Sequence, residues 1–160
     1  MSAPFDSMSM ADAAVALRSL PRRFTETVSG PAGDDAWDRT VRTPGPSGRS
    51  ALGSVAMADA ELLALGTAIA SLPLEKSPVV NLGPARRSAE PSISLPDLLT
   101  QVQGDAKRAA TAVAGRGHDD FARQVTVDGK TMSVGDYVCR TVAACLSHLH
   151  DASEAIEGAT

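Results

Sequence analysis

Apolar residues recur at helical spacing over four stretches of the chain, separated by segments rich in Gly, Pro and Asp. The first stretch runs from about Ser9 to Val28 and carries Leu17, Leu20, Phe24 and Val28. Pro21 lies inside it and predicts a kink or a division into two shorter helices, and Gly30 and Pro31 end it. A loop-like stretch containing Trp37 follows. The second helix is predicted from about Ser50 to Ser71, with Leu52, Val55, Leu62, Leu63, Ile69 and Leu72 as apolar residues and Pro73 as its stop. Residues 73–93 hold four prolines and no helical period, which predicts a long connection that crosses over or covers something. Ser94 opens the third helix as N-cap, with Pro96 and Asp97 in the first turn. Its stripe is Leu98, Val102, Ala106, Ala109 and Val113, and Gly115 and Gly117 end it. Gln124–Val127 followed by Asp128 and Gly129 predicts a short hairpin. The fourth helix opens at Ser133, has Asp136 three residues on, and reaches about Glu157. The pattern predicts an all-α fold, a four-helix bundle formed by a single domain over residues 1–160. Its long crossover lies between helices two and three, and the hairpin precedes helix four.

Composition narrows the function classes. Of 160 residues, 27 are Ala and only 3% are aromatic, which suits close-packed helices better than a sandwich of sheets. Net charge is −4, and five aromatics (Phe5, Phe24, Trp37, Phe121 and Tyr137) serve the whole chain. A nucleic-acid surface would want a basic face and stacking rings, so no nucleic-acid partner is expected. No stretch of the sequence reads as a spanning run of about 20 apolar residues, and Asp6 and Asp12 spoil a signal-peptide pattern. No membrane partner is expected. Cys139 and Cys145 fall six apart on one helix, point in different directions and read as small buried hydrophobes. A reducing, cytoplasmic location is the corresponding expectation.

Bundles build their sites in the core, so the informative residues are polar ones on apolar stripes. On the fourth helix Val134, Val138, Thr141, Cys145, Ala152 and Ile156 form the stripe, with His148 on or beside it and Tyr137 on the same side. His150 is rotated about 200° from His148 and should face solvent. Asp59 and Glu61 are the carboxylates available on the second helix, and Asp59 lies on the Leu52, Val55 and Leu62 side, where a pair with His148 is conceivable. Two donors make a weak metal site, since zinc takes three or four protein ligands. Asp34, Asp35, Asp119 and Asp120 read as solvated loop residues. Gly45 to Gly48 lacks the ending of a phosphate loop, and neither Ser47 nor Ser50 sits in a nucleophile elbow.

Four segments resemble the DinB-like superfamily, and more closely the metal-binding N-terminal domain of mycothiol-dependent maleylpyruvate isomerases. They are Trp37 in the loop after helix one, Val55 to Glu61, Thr131 to Tyr137, and His148 to Ala152. Val55 to Glu61 is similar to the family's Ala-His-Leu-Ala-Asp-Ala-Glu, and His148 to Ala152 to its His-Arg-Trp-Asp-Ala. The resemblance implies a bundle whose members hold zinc or nickel on three side chains and activate a low-molecular-weight thiol there. Residue by residue, the three ligand positions are Ala56, Ala144 and His148; in a second register they include His148 and Ala152. Alanine cannot ligate, so only His148 retains a ligand, and neither a complete metal site nor a cofactor is expected. The resemblance thus implies the fold without the family's chemistry: a non-catalytic module that binds a small molecule or a protein, with Ala56, Asp59, Tyr137, Thr141, Ala144 and His148 around its pocket. The alternative is a metal-dependent thiol S-transferase, or an isomerase of the maleylpyruvate type, with a relocated zinc or nickel site in which Asp59, Glu61 or His150 joins His148. A homodimer through an Ala-rich helix face is the further expected partner.

Overall fold

The computed structural model describes residues 8–30, 34–72, 77–83 and 91–159. Phe5, Asp6, Pro31 and Pro73 lie outside them, as does part of the 73–93 connection. Among the described residues, six helices and three short strands follow in the order α1 (Met10–Val28), α2 (Asp35–Val41), α3 (Ala51–Ala70), β1 (Val79–Val80), α4 (Leu95–Ala114), α5 (His118–Phe121), β2 (Gln124–Val127), β3 (Lys130–Ser133) and α6 (Val134–Ala159).

The four long helices start where the sequence places serines. The hydroxyls of Ser9, Ser50, Ser94 and Ser133 accept from the amides of Asp12, Gly53, Asp97 and Asp136 at 3.1, 2.9, 3.3 and 3.0 Å. Each satisfies one N–H that the helix leaves without an intrahelical partner, worth about 1 kcal/mol per cap. Pro21 does not divide α1, which runs unbroken from Met10 to Val28. The loop after α1 contains a short helix the sequence pattern did not reveal. Asp34 caps it by accepting from Ala36 N and Trp37 N, so Asp34 and Asp35 open a helix instead of lying in a plain loop. Trp37 then reaches back, its indole N–H donating to Val28 O at 3.0 Å and satisfying a carbonyl at the end of α1. Gly30 lies against the indole ring so closely that any Cβ there would collide with it.

The long helices form a square. α3 packs against α4 and α6, and α1 packs against the same two, so α1 and α3 face each other across the diagonal. Two contacts between α3 and α4 give their relative direction: Asp59 meets Asp105, and Gly66 approaches Ala109. The pairs rise together along both helices, which makes α3 and α4 parallel. Parallel neighbours require a connection that returns the full length of the bundle, and this is the physical reason for the long crossover after Ser71. Against α6 the direction reverses. Gly45, just before α3, touches Ala155 near the end of α6, while Ala58 lies beside Cys145 further back.

The crossover contributes more than length. Within it, Val79 and Val80 pair in parallel with Thr126 and Val127 of β2, which in turn pairs antiparallel with β3. The β2–β3 hairpin has the expected two-residue turn, with Asp128 and Gly129 at φ 49° and 85°, the left-handed geometry that Asp-Gly adopts readily. β1 was not legible in the sequence, because two residues carry no period. Asp119 and Asp120 also depart from expectation: they sit in α5, and Asp120 is half-buried between Arg116 and Arg123 at 3.7 and 3.4 Å.

α3 departs from expectation in a further respect: by length and composition it is apolar enough to cross a membrane. Here it is the core helix. Leu52, Val55, Ala58, Leu62, Leu65 and Ile69 are all fully buried, and its hydrophobicity follows from having neighbours on two sides.

The approach of the α2–α3 loop to α6 is testable. A Cβ on Gly45 would stand 2.6 Å from Ala155 Cα, so Gly45→Ala must push the loop away and should cost about 1–3 kcal/mol in thermal or urea unfolding. Gly158→Ala, with open space around it, should change stability by less than about 1 kcal/mol. Equal effects of the two substitutions would contradict this packing.

Candidate functional site

α6 presents Tyr137, Arg140, Thr141 and Ala144 at spacings of three and four, hence along one face. Glu61 of α3 approaches that face from one side. Val127, Asp128, Lys130 and Met132 of the hairpin, together with Leu82 after β1, close the other. These ten residues line a pocket of about 370 Å³, within the range of small-ligand sites. Asp128 ties the rim together: its carboxylate accepts from Leu82 N at 2.8 Å, and its own amide donates to Val80 O at 2.9 Å. The crossover is thereby fastened to the hairpin at the pocket edge.

The interior of the pocket is polar. Glu61 is 5% exposed and Tyr137 4%, so both groups have left water. Burial, and next the negative charge of Glu61, hold the Tyr137 phenol well above its ordinary pKa, with the adjacent Thr141 offsetting part of the rise. Tyr137 is therefore a neutral hydroxyl; the Thr141 side chain lies near enough to perturb it, but no group among the described residues meets it in full hydrogen-bonding geometry. Thr141 donates to Tyr137 O at 3.0 Å, the ordinary bond of a helical threonine to the preceding turn. At the mouth, Lys130 and Arg140 are exposed and form no ion pair with the described residues.

Of the residues singled out from the sequence, Tyr137, Thr141 and Ala144 meet at this pocket. His148 lies one turn further along α6, with Nε2 3.7 Å from Glu61 Oε2. Its carboxylate neighbour is Glu61 and not Asp59. Residues 59 and 61 stand about 200° apart around a helix, so Asp59 faces the opposite side, toward α4. There it faces Asp105, which is ion-paired to Arg108. Ala56 is partly buried against the core and does not line the pocket. His150 points outward and pairs with Glu154. Arg140, Lys130, Asp128, Met132 and Leu82 were not singled out. Helical spacing from Tyr137 could have found Arg140; the others arrive through strand pairing and the crossover.

Zinc or nickel, which the resemblance implies, can be tested against this donor set. Ala56 and Ala144 offer no donor atom, Glu61 and His148 offer two donors side by side, and no group of three His, Cys, Asp or Glu converges among the described residues. These residues do not fit a three-ligand centre. Cys139 and Cys145 are buried thiols not joined in a disulfide, as expected. Burial, followed by the charges of Glu61 and Asp59, holds the Cys145 thiol well above its ordinary pKa, so it is no thiolate nucleophile.

Comparison with solved structures supports the fold. YfiT from Bacillus subtilis, described as a probable metal-dependent hydrolase with an unusual four-helix bundle topology, superposes with a TM-score of 0.80 at 13% identity, over 98% of this chain and 93% of that one. A likeness at that identity establishes the architecture alone, a four-helix bundle. No family model matches the chain, and no curated protein matches it in sequence.

The Asp59–Asp105 contact predicts a pH dependence. Burial, then the hydrogen bond and charge of Asp105, raise Asp59 from 3.8 to about 8, against a smaller opposing effect of Arg108. The folded state therefore holds a proton that the unfolded state releases near its ordinary pKa. Between those two values the native state binds more protons, so this group's contribution to stability falls as pH rises from about 4 to about 8. Asp59→Asn removes the titration and can still donate to Asp105. Its melting temperature should gain on the parent progressively between pH 5 and about 8, and a constant difference across that range would contradict the assignment.

Proposed function

We propose that this protein is a small-molecule-binding bundle that works without the metal of the family it resembles. The observation that carries this reading is the pocket of about 370 Å³ with a buried phenol, Tyr137, whose hydroxyl has no hydrogen-bond partner among the described residues. A buried donor without a partner costs about 1–3 kcal/mol, and a bound molecule or water removes that cost. Ala144 in the pocket wall supplies space where a ligating side chain would fill it. The binding role is non-catalytic in this reading, because the described pocket residues include no activated nucleophile: Tyr137 is held neutral, and Cys145 nearby is a buried thiol. Association of two copies through an Ala-rich helix face belongs to the same proposal, and sedimentation over a range of concentrations tests it.

A second reading has one observation in its favour, the 3.7 Å approach of His148 Nε2 to Glu61 Oε2. It is a metal-dependent thiol S-transferase or maleylpyruvate-isomerase-like enzyme with its zinc or nickel site moved to that pair.

Metal titration separates the two. Nickel or zinc added to metal-free protein should leave the melting temperature unchanged, and protein purified without a His-tag should carry no stoichiometric metal. Saturable stabilisation at micromolar metal, abolished by His148→Ala, would overturn the first reading in favour of the second. Binding itself is tested with Ala144→Leu, which fills the pocket wall. Compounds that raise the parent's melting temperature in a fragment screen should lose their effect in this variant.

A further inference from the structure

We infer that a second site, the groove between α3 and α4, takes a linear fatty carboxylate, a free molecule with an anionic head and an unbranched hydrocarbon tail. α3 carries two charged residues, Asp59 and Glu61, and both are buried. The positions it leaves exposed are Leu63, Thr67 and Ala70. A helix face in water ordinarily carries charge, as α1 does with Asp12, Arg18, Arg22, Arg23 and Glu26. One exposed leucine needs no explanation, but a whole outward face without charge does. That face borders a groove of about 470 Å³. Leu62, Leu63, Gly66, Thr67 and Ala70 form one wall, with Thr111 and Ala112 of α4 opposite. The Thr67 hydroxyl donates to Leu63 O at 2.8 Å, so it asks nothing of a ligand. Because α3 and α4 run parallel, the groove follows both helices, over about 12 Å from Leu62 to Ala70. An extended chain of about nine carbons has that length.

The charges of the groove are gathered at one end. Asp105, Lys107 and Arg108 lie within one turn of α4, and the end formed by Ala70 and Ala112 has none. The sign of the ligand follows from counting every ionisable group there. Asp105 and Arg108 are ion-paired and cancel. Asp59 stands behind Asp105, and two buried carboxylates beside one guanidinium keep one proton, which Asp59 holds. Lys107 is left over: it is exposed and forms no ion pair among the described residues. An alkylamine would meet like charge at this end. A second copy of the chain offers Lys107 no acid from the same groove, since its one ionised carboxylate is already taken by Arg108. A fatty carboxylate meets Lys107 with its head and the uncharged walls with its tail.

Calorimetry with octanoate, hexanoate and octylamine at neutral pH and low salt tests the inference. Octanoate should bind about fivefold more tightly than octylamine, and the difference should shrink as salt is added. It should also bind about tenfold more tightly than hexanoate, which covers less of the groove. Lys107→Glu, at an exposed position, should reverse the order of octanoate and octylamine. Ala70→Leu, also exposed, fills the far end and should weaken octanoate while leaving hexanoate nearly unchanged. Ala144→Leu, in the Tyr137 pocket, should leave octanoate binding as it is, so this inference and the binding reading above fail separately. Equal binding of octanoate and octylamine overturns the inference, as does octanoate binding that Ala144→Leu removes. Absence of octanoate binding overturns it too. In that event a dimer dissociated by Leu63→Glu assigns the face to a second copy, and Lys107-dependent binding to phosphatidylglycerol vesicles assigns it to a lipid surface.

Discussion

α3 is held between two neighbours, α4 on one side and α6 on the other, and most of the molecule follows from that constraint. A helix buried on two faces cannot be amphipathic in the usual way, which is why α3 is apolar nearly throughout. Any polar side chain it carries enters an interface and must be answered by the helix it meets. Asp59 is answered by Asp105 of α4, at the cost of keeping a proton. Glu61, about 200° around the helix, is answered by His148 of α6 and by the polar lining of the pocket. Two carboxylates separated by one residue therefore serve two different interfaces.

The parallel arrangement of α3 and α4 has a further consequence. The chain must travel back along the bundle between them, and on the way it lends β1 to the β2–β3 hairpin. That small sheet lies over the face of α6 that carries Tyr137 and Thr141, with Asp128 holding the crossover in place. Without the return segment this face would be open to solvent on the hairpin side. With it, a shallow groove between helices becomes a pocket with a buried polar end and a charged mouth. Topology and site are thus linked: the connection that the parallel helices require is also the wall that encloses the pocket.

Several positions show how far local patterns reach. The serine caps, the apolar stripes and the Asp128–Gly129 turn were readable because each depends on residues within a few positions of one another. Tyr137, Thr141 and Ala144 were readable as a group because helical spacing places them on one face. Asp59 and His148 could both be assigned to inward faces but not to a particular interface: Glu61 stands beside His148, and Asp59 beside Asp105. Lys130 and Leu82 carry no signal of function in the sequence. Their place at the pocket depends on a strand of two residues and on a contact between Leu82 and Asp128, 46 positions apart.

The sequence by itself determined the helices, their starts, the hairpin and the absence of ligating atoms at Ala56 and Ala144. All of these follow from backbone hydrogen bonding, side-chain periodicity and the chemistry of single residues, which act locally. Only the tertiary structure decided the order of helices around the square, the separate partners of Asp59 and Glu61, and the meeting of Arg140 and Lys130 at one pocket mouth. Those depend on how each helix is rotated about its axis and on the path of the crossover, which are set by packing over the whole bundle at once and leave no local mark in the chain.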